Sequence, residues 1–89
     1  MPKVFFTANL RRHVECSSME AEGMTVADVL AQVFSKQDRL GAYVLDDQGG
    51  LRKHMTILID GQRIRDIEKL TDPVTAISEI WVMQALSGG

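Results

Sequence analysis

Residues 25–34 read TVADVLAQVF, Thr25 to Phe34, and this stretch decides the fold. Val26, Val29, Leu30, Val33 and Phe34 recur at i, i+3, i+4, i+7 and i+8, which makes one continuous stripe along a helix. Thr25 stands before the stripe as N-cap. Asp28, three residues on, can accept from free N-terminal amides and meets the positive end of the helix dipole. The helix should end near Ser35–Gln37. No other segment carries this period, so the reading expects one helix, and its apolar stripe needs a sheet to cover.

The flanks supply that sheet. Upstream, Val4 to Ala8 (VFFTA) is short, apolar and rich in aromatic or β-branched residues between Pro2 and Asn9, a first strand. Val14 to Glu22 follows as a second. Val14 and Cys16 share one phase of alternation but Met19 and Ala21 share the other, which predicts a bulge or irregular start near Ser17-Ser18. Gly23 then closes the pair. Downstream, Leu40 to Leu45 holds an apolar piece, and Asp46-Asp47-Gln48-Gly49-Gly50 is a turn cluster. Met55 to Ile59 is a strand and Asp60-Gly61 a two-residue hairpin signal. Gln62 to Arg65 is the return strand at an edge, with Arg63 and Arg65 outward. Asp66 to Thr75 reads as a loop with a single helical turn and Leu70 tucked beneath it, and Ile80 to Gln84 as the last strand.

The order is strand, strand, helix, strand, strand, strand. Right-handed crossover connections let the first and last strands lie side by side in mid-sheet with the helix across them. The expected fold is α+β, a ubiquitin-like β-grasp with a mixed sheet of four to five strands and one main helix on one face. It forms a single domain over 1–89 that ends in a mobile tail at about 85–89.

Composition narrows the function. The 89 residues are 45% hydrophobic and 25% charged, ordinary for one globular domain. The net charge of −2 comes with scattered cations, which argues against nucleic acid or an anionic membrane as the main partner. No apolar run approaches the ~20 residues a bilayer span needs, and no signal peptide is read at the N-terminus. One cysteine, Cys16, excludes an internal disulfide and fits a reducing compartment, so a cytoplasmic location is expected.

The helix segment Thr25-Val26-Ala27-Asp28-Val29-Leu30, the strand and turn Ile57-Leu58-Ile59-Asp60-Gly61, the strand Ile80-Trp81-Val82-Met83 and the final Gly88-Gly89 together resemble the MoaD/ThiS family of sulfur-carrier proteins. Their order and spacing along nearly the whole chain carry the resemblance. The chain departs from many carriers in having Gln84-Ala85-Leu86-Ser87 in place of a proline-rich stretch before the diglycine, which bears on the branch of the family.

The resemblance implies a chemistry. An E1-like activating enzyme, using ATP and magnesium, adenylates the terminal carboxylate of Gly89. Sulfur then replaces AMP, and the resulting thiocarboxylate serves a sulfur-accepting pathway enzyme in cofactor (molybdopterin or thiamine), cysteine or related biosynthesis. A terminal carboxyl with a pKa of about 3.3–3.7 is ionised at neutral pH and can attack the α-phosphate. Side chains at 88 and 89 would clash with a narrow channel, and glycine removes them. The carrier is then no enzyme and binds no cofactor; it supplies the reacting carboxyl and the reach.

Other residues divide between a bland and a sharp reading. In the last strand Ile80 and Val82 suit the helix-facing side, which leaves Trp81 and Met83 on the open sheet face near Leu58 or Thr56. That patch, continued by Leu86 and Ser87, is a candidate docking site for the activating or pathway enzyme. The alternative is a patch covered by a folded-over loop. Cys16 suits a small buried hydrophobe better than a relay thiol. His13 and His54 lack partners at ligand spacing, so no metal site is expected. Arg52-Lys53-His54 and Arg63-Arg65 read as a solvated face or a steering patch for an acidic partner. Gly49-Gly50 reads as a turn only. Two further readings stay open: a ubiquitin-like modifier whose tail forms isopeptide bonds, and a β-grasp interaction module that never uses its tail.

Overall fold

A computed structural model describes residues 1–6 and 18–84. The expected residues Cys16 and His13, the strand pieces Thr7-Ala8 and Val14–Ser17, and the bulge expected at Ser17 lie outside these. The described elements are β1 (Lys3–Phe6), β2 (Ser18–Glu20), α1 (Val26–Lys36), α2 (Asp38–Val44), β3 (Met55–Ile59), β4 (Gln62–Arg63) and β5 (Glu79–Gln84). The five strands make one sheet in the order β2-β1-β5-β3-β4. β1 pairs with β5 in parallel, and the other neighbours are antiparallel. First and last strands therefore lie side by side in mid-sheet, as the element order predicts.

One sheet face and the α1 stripe form the core. Val4, Phe6, Ile57, Ile80 and Val82 from the sheet join Val26, Val29, Leu30 and Val33 from the helix in a single buried cluster. The α1 start is satisfied group by group. Thr25, extended at φ −133° and ψ 165°, accepts from the Asp28 amide at 3.2 Å. The Asp28 carboxylate accepts in return from the Met24 amide at 3.3 Å, one residue earlier than a standard capping box. Two orphan donors remain in the first turn, and a distant loop takes them: the Val26 amide donates to the Asp72 carbonyl at 3.0 Å and the Ala27 amide to the Leu70 carbonyl at 2.8 Å. Leu70, at φ 57°, is a left-handed residue with its side chain buried.

Gly23 does more than close a strand pair. A Cβ there would stand 2.6 Å from the Asp28 Cβ and 2.8 Å from the Val29 amide nitrogen, so the chain passes directly against the helix start. Gly23→Ala should destabilise the fold by about 1–3 kcal/mol, the usual cost of overpacking, readable as a lowered denaturant midpoint at unchanged slope. A midpoint equal to that of the parent chain would show that the helix start yields freely.

Two expectations need correction. The piece Leu40–Leu45 is not merely apolar: Asp38–Val44 is a second helix, with Leu40 and Val44 fully buried at i and i+4. Seven residues hold too few turns to show a period, and its N-cap Gln37 makes no side-chain capping bond, so both sequence signals are missing. Gly41 lets this helix approach α1, since a Cβ there would lie 3.2 Å from Phe34. The return strand is also shorter than Gln62–Arg65. It stops at Arg63 because the amides of Arg65 and Asp66 donate to the Asp72 carboxylate at 2.9 and 2.8 Å, which draws the chain away from β3.

The turns behave as read. Asp60 (φ 51°) and Gly61 (φ 88°) both take the left-handed conformation of a tight hairpin. Asp60 also fastens this hairpin to β5, donating its amide to the Glu79 carbonyl at 2.9 Å and accepting the Glu79 amide on its carboxylate at 3.0 Å. In the 46–50 turn the Asp46 carboxylate accepts from the amides of Gln48 and Gly50, each at 2.9 Å.

Candidate functional site

The face of the sheet away from the helices is built by strand phase. Ile80 and Val82 point into the core, so Trp81 and Met83 point out, as expected. Register places Leu58 directly opposite Trp81 and Thr56 opposite Met83. Across the sheet the row continues through Phe5 on one side of Trp81 and Arg63 beyond Leu58. The Phe5 and Trp81 rings stack with centroids 4.6 Å apart and planes 14° from parallel. Trp81 remains 37% exposed, while Phe5, Leu58, Thr56 and Met83 are half-buried. An aromatic pair with an aliphatic neighbour thus forms an open strip along the middle three strands.

Phe5 is the member that sequence reasoning missed. Val4 and Phe6 face the core, so the phase of β1 alone sends Phe5 to the open face; only the parallel register with β5 shows that it meets Trp81. Lys3 and Glu20 continue the same face as charged neighbours.

β5 brings this strip to the root of the tail. It ends at Gln84, which pairs with Met55, and it is held by neighbours on both sides. Of the other expected site residues, Leu86, Ser87, Gly88 and Gly89 lie outside the described residues. His54 precedes β3 at the same end, its ring set edge-on to Tyr43 with centroids 6.4 Å apart. Among the described residues no group of three His, Cys, Asp or Glu side chains is arranged to hold a metal ion, and no helix is long and apolar enough to cross a membrane.

Among the described residues, the acid with a clearly shifted pKa lies away from this strip. Asp66 accepts the Thr71 hydroxyl at 2.5 Å and the amides of Lys69, Glu68 and Thr71, and the Thr71 hydroxyl bond leads in lowering its pKa from 3.8 to about 2. Its role is to shape the 66–72 loop whose carbonyls cap α1. Because the folded state prefers the ionised form, this contribution is fully present above the unfolded value near 4. It is lost as pH falls towards 2. Asp66→Asn should lower the melting temperature at pH 7 and should lie close to the parent chain at pH 2. Parallel curves for the two proteins across that window would contradict the assignment.

Comparison with known proteins fits this geometry. Residues 4–89 match the ThiS family, a span that reaches Gly88-Gly89. No curated protein sequence matches the chain. Among solved structures, a chain of the Amycolatopsis orientalis BexX/CysO complex superposes with a TM-score of 0.87 at 22% identity, covering 100% of each chain. Small archaeal modifier protein 1 of Methanosarcina acetivorans gives 0.84 at 29% identity, over 99% of this chain and 95% of its own. Mycobacterium tuberculosis CysO gives 0.84 at 18% identity, over 97% of this chain and all of its own. With the family matched over nearly the whole length and the ubiquitin-like sheet in place, this chain belongs to the ThiS family of small carrier proteins, which act as carriers or modifiers rather than as enzymes.

Proposed function

We propose that the protein is a sulfur carrier that works through the carboxylate of Gly89. The observation that carries this reading is the family match running through Gly88-Gly89. An E1-like partner, holding ATP and magnesium, would receive the tail. A Gly89 oxygen attacks the α-phosphate and pyrophosphate leaves; sulfide then attacks the acyl carbon and AMP leaves. Alternatively a persulfide does so, and the resulting acyl disulfide is cleaved by a second thiol, which forms a disulfide with the persulfide's inner sulfur. The thiocarboxylate so formed would pass its sulfur to an acceptor bound by a pathway enzyme. Five residues follow Gln84, and at ~3.3–3.6 Å per residue they reach at most about 18 Å from the end of β5. That reach supports delivery into a partner's pocket while the body of the carrier stays outside it, in a reducing, cytoplasmic setting.

The open strip supplies the docking face in this reading, with Trp81, Met83 and Leu58 joined by Phe5 and continued by Leu86 and Ser87. Aromatic side chains at the centre of an interface commonly dominate its affinity. Trp81→Ala should weaken binding to the activating enzyme by about tenfold or more. The lost aromatic stack lowers stability by about 0.5–1.5 kcal/mol, in addition to the apolar area that the ring no longer buries. Titration calorimetry and thermal melts read the two effects separately, and equal affinity for both chains would remove the strip from the interface.

The likeness to small archaeal modifier protein 1 favours a second reading, in which the activated Gly89 is transferred to lysine amines. Intact-mass measurement after incubation with ATP, the activating enzyme and a sulfur source separates the two. Exchange of one oxygen for sulfur at Gly89 supports the carrier, conjugates to other proteins support the modifier, and an unchanged mass opposes both.

A further inference from the structure

The β3 edge is half finished. β3 runs from Met55 to Ile59, but β4 pairs only with Leu58 and Ile59. One further bond, from the Ile64 amide to the Ile57 carbonyl at 3.0 Å, precedes the departure of the chain towards Asp72. In an extended strand the peptide groups of alternate residues point to the same edge. Met55 and Ile57 therefore share the edge that β4 covers only in part, while Thr56 and Leu58 turn towards β5. Among the described residues, no hydrogen bond reaches the Met55 carbonyl or leaves the Ile57 amide on that edge. Unpaired backbone groups beside buried side chains are costly and ready to take a partner.

A cleft of about 380 Å³ opens at this place. Buried Met55, Ile57 and Ile64 form its floor, and Ile67, 53% exposed, stands at its side. Lys53 and Arg63 line the rim as exposed cations, and among the described residues neither has a carboxylate partner. Apolar floor, cationic rim and free backbone groups together specify an occupant. We propose that this cleft takes an extended acidic and apolar segment of a partner protein, which adds to the β3 edge as a short strand. Its backbone would engage the Met55 carbonyl and the Ile57 amide, its apolar side chains the floor, and its carboxylates Lys53 and Arg63. The cleft lies on the far side of β3 from β5 and does not depend on what Gly89 carries, so its test is independent of the tail chemistry.

A short soluble peptide alternating valine with glutamate is the probe, and a valine–lysine peptide is its control. Titrated into ¹⁵N-labelled protein, the glutamate peptide should shift the amides of Ile57, Ile64 and Lys53 saturably, and more weakly at high salt. The lysine peptide should bind about tenfold more weakly, and the double variant Lys53→Glu/Arg63→Glu should reverse that preference. Both substitutions fall on exposed side chains, and a thermal melt confirms that the variant is folded. Shifts centred on Trp81, equal binding of both peptides, or no saturable shift at Ile57 would overturn the proposal. Concentration-dependent shifts of the same amides without peptide would also overturn it, because the occupant would then be a second copy of this chain.

Discussion

A chain lacking Gly88 and Gly89 should form no acyl-adenylate and no thiocarboxylate, yet melt at nearly the temperature of the full chain. The two halves of this expectation rest on different observations. Every residue of the described core lies at or before β5, which ends at Gln84 between β1 and β3, and the truncation leaves all of them in place. In the proposed chemistry the terminal carboxylate is the reacting group, and truncation moves it about 7 Å back along the chain. Gly89→Ala is the finer instrument. It leaves the carboxylate at its full reach but adds a methyl group beside the reacting carbon, and misplacement by about 1 Å costs on the order of a hundredfold in rate. Intact mass and pyrophosphate release read both variants. Unimpaired activation of the truncated chain would leave a β-grasp interaction module as the better description.

Leu30→Ala should cost about 2–5 kcal/mol, the range for emptying a fully buried leucine site. In a domain of this size that corresponds to a fall of roughly 10–30 °C in melting temperature. Leu30 is 1% exposed and sits in the middle of the α1 stripe, within the same cluster as Phe6, Ile80 and Val82. It is one of the four buried positions that this helix lays over the sheet. Chemical denaturation checks the value. A cost below about 1 kcal/mol would mean that the stripe is loosely packed and that the sheet is held by other contacts.

How far the sequence could be read depended on where each signal resides. The α1 stripe and its Thr25 cap are local, and both were legible, as were the Asp60-Gly61 hairpin and the inward phase of Ile80 and Val82. The outward phase of Trp81 and Met83 followed directly from them. What escaped is non-local or too short to show a period. The second helix rests on Leu40 and Val44 meeting a core that only the fold assembles. The early end of β4 is set by the Asp72 carboxylate, seven positions from Arg65 in the chain. Phe5 joins the open strip through a parallel register that no local pattern encodes. The tail is a third case: a diglycine has no meaning in packing terms, and only the family resemblance, carried through the family match, gives it one.

The parallel pairing of β1 with β5 has a consequence for the timing of synthesis. The strand at the centre of the sheet is the last one the ribosome releases, so β1 must wait for almost the entire chain before it finds its long-range neighbour. Nascent chains that stop short of β5 lack the middle of the sheet, so β1 and β3 have no strand to join them until nearly all of the described chain has been made.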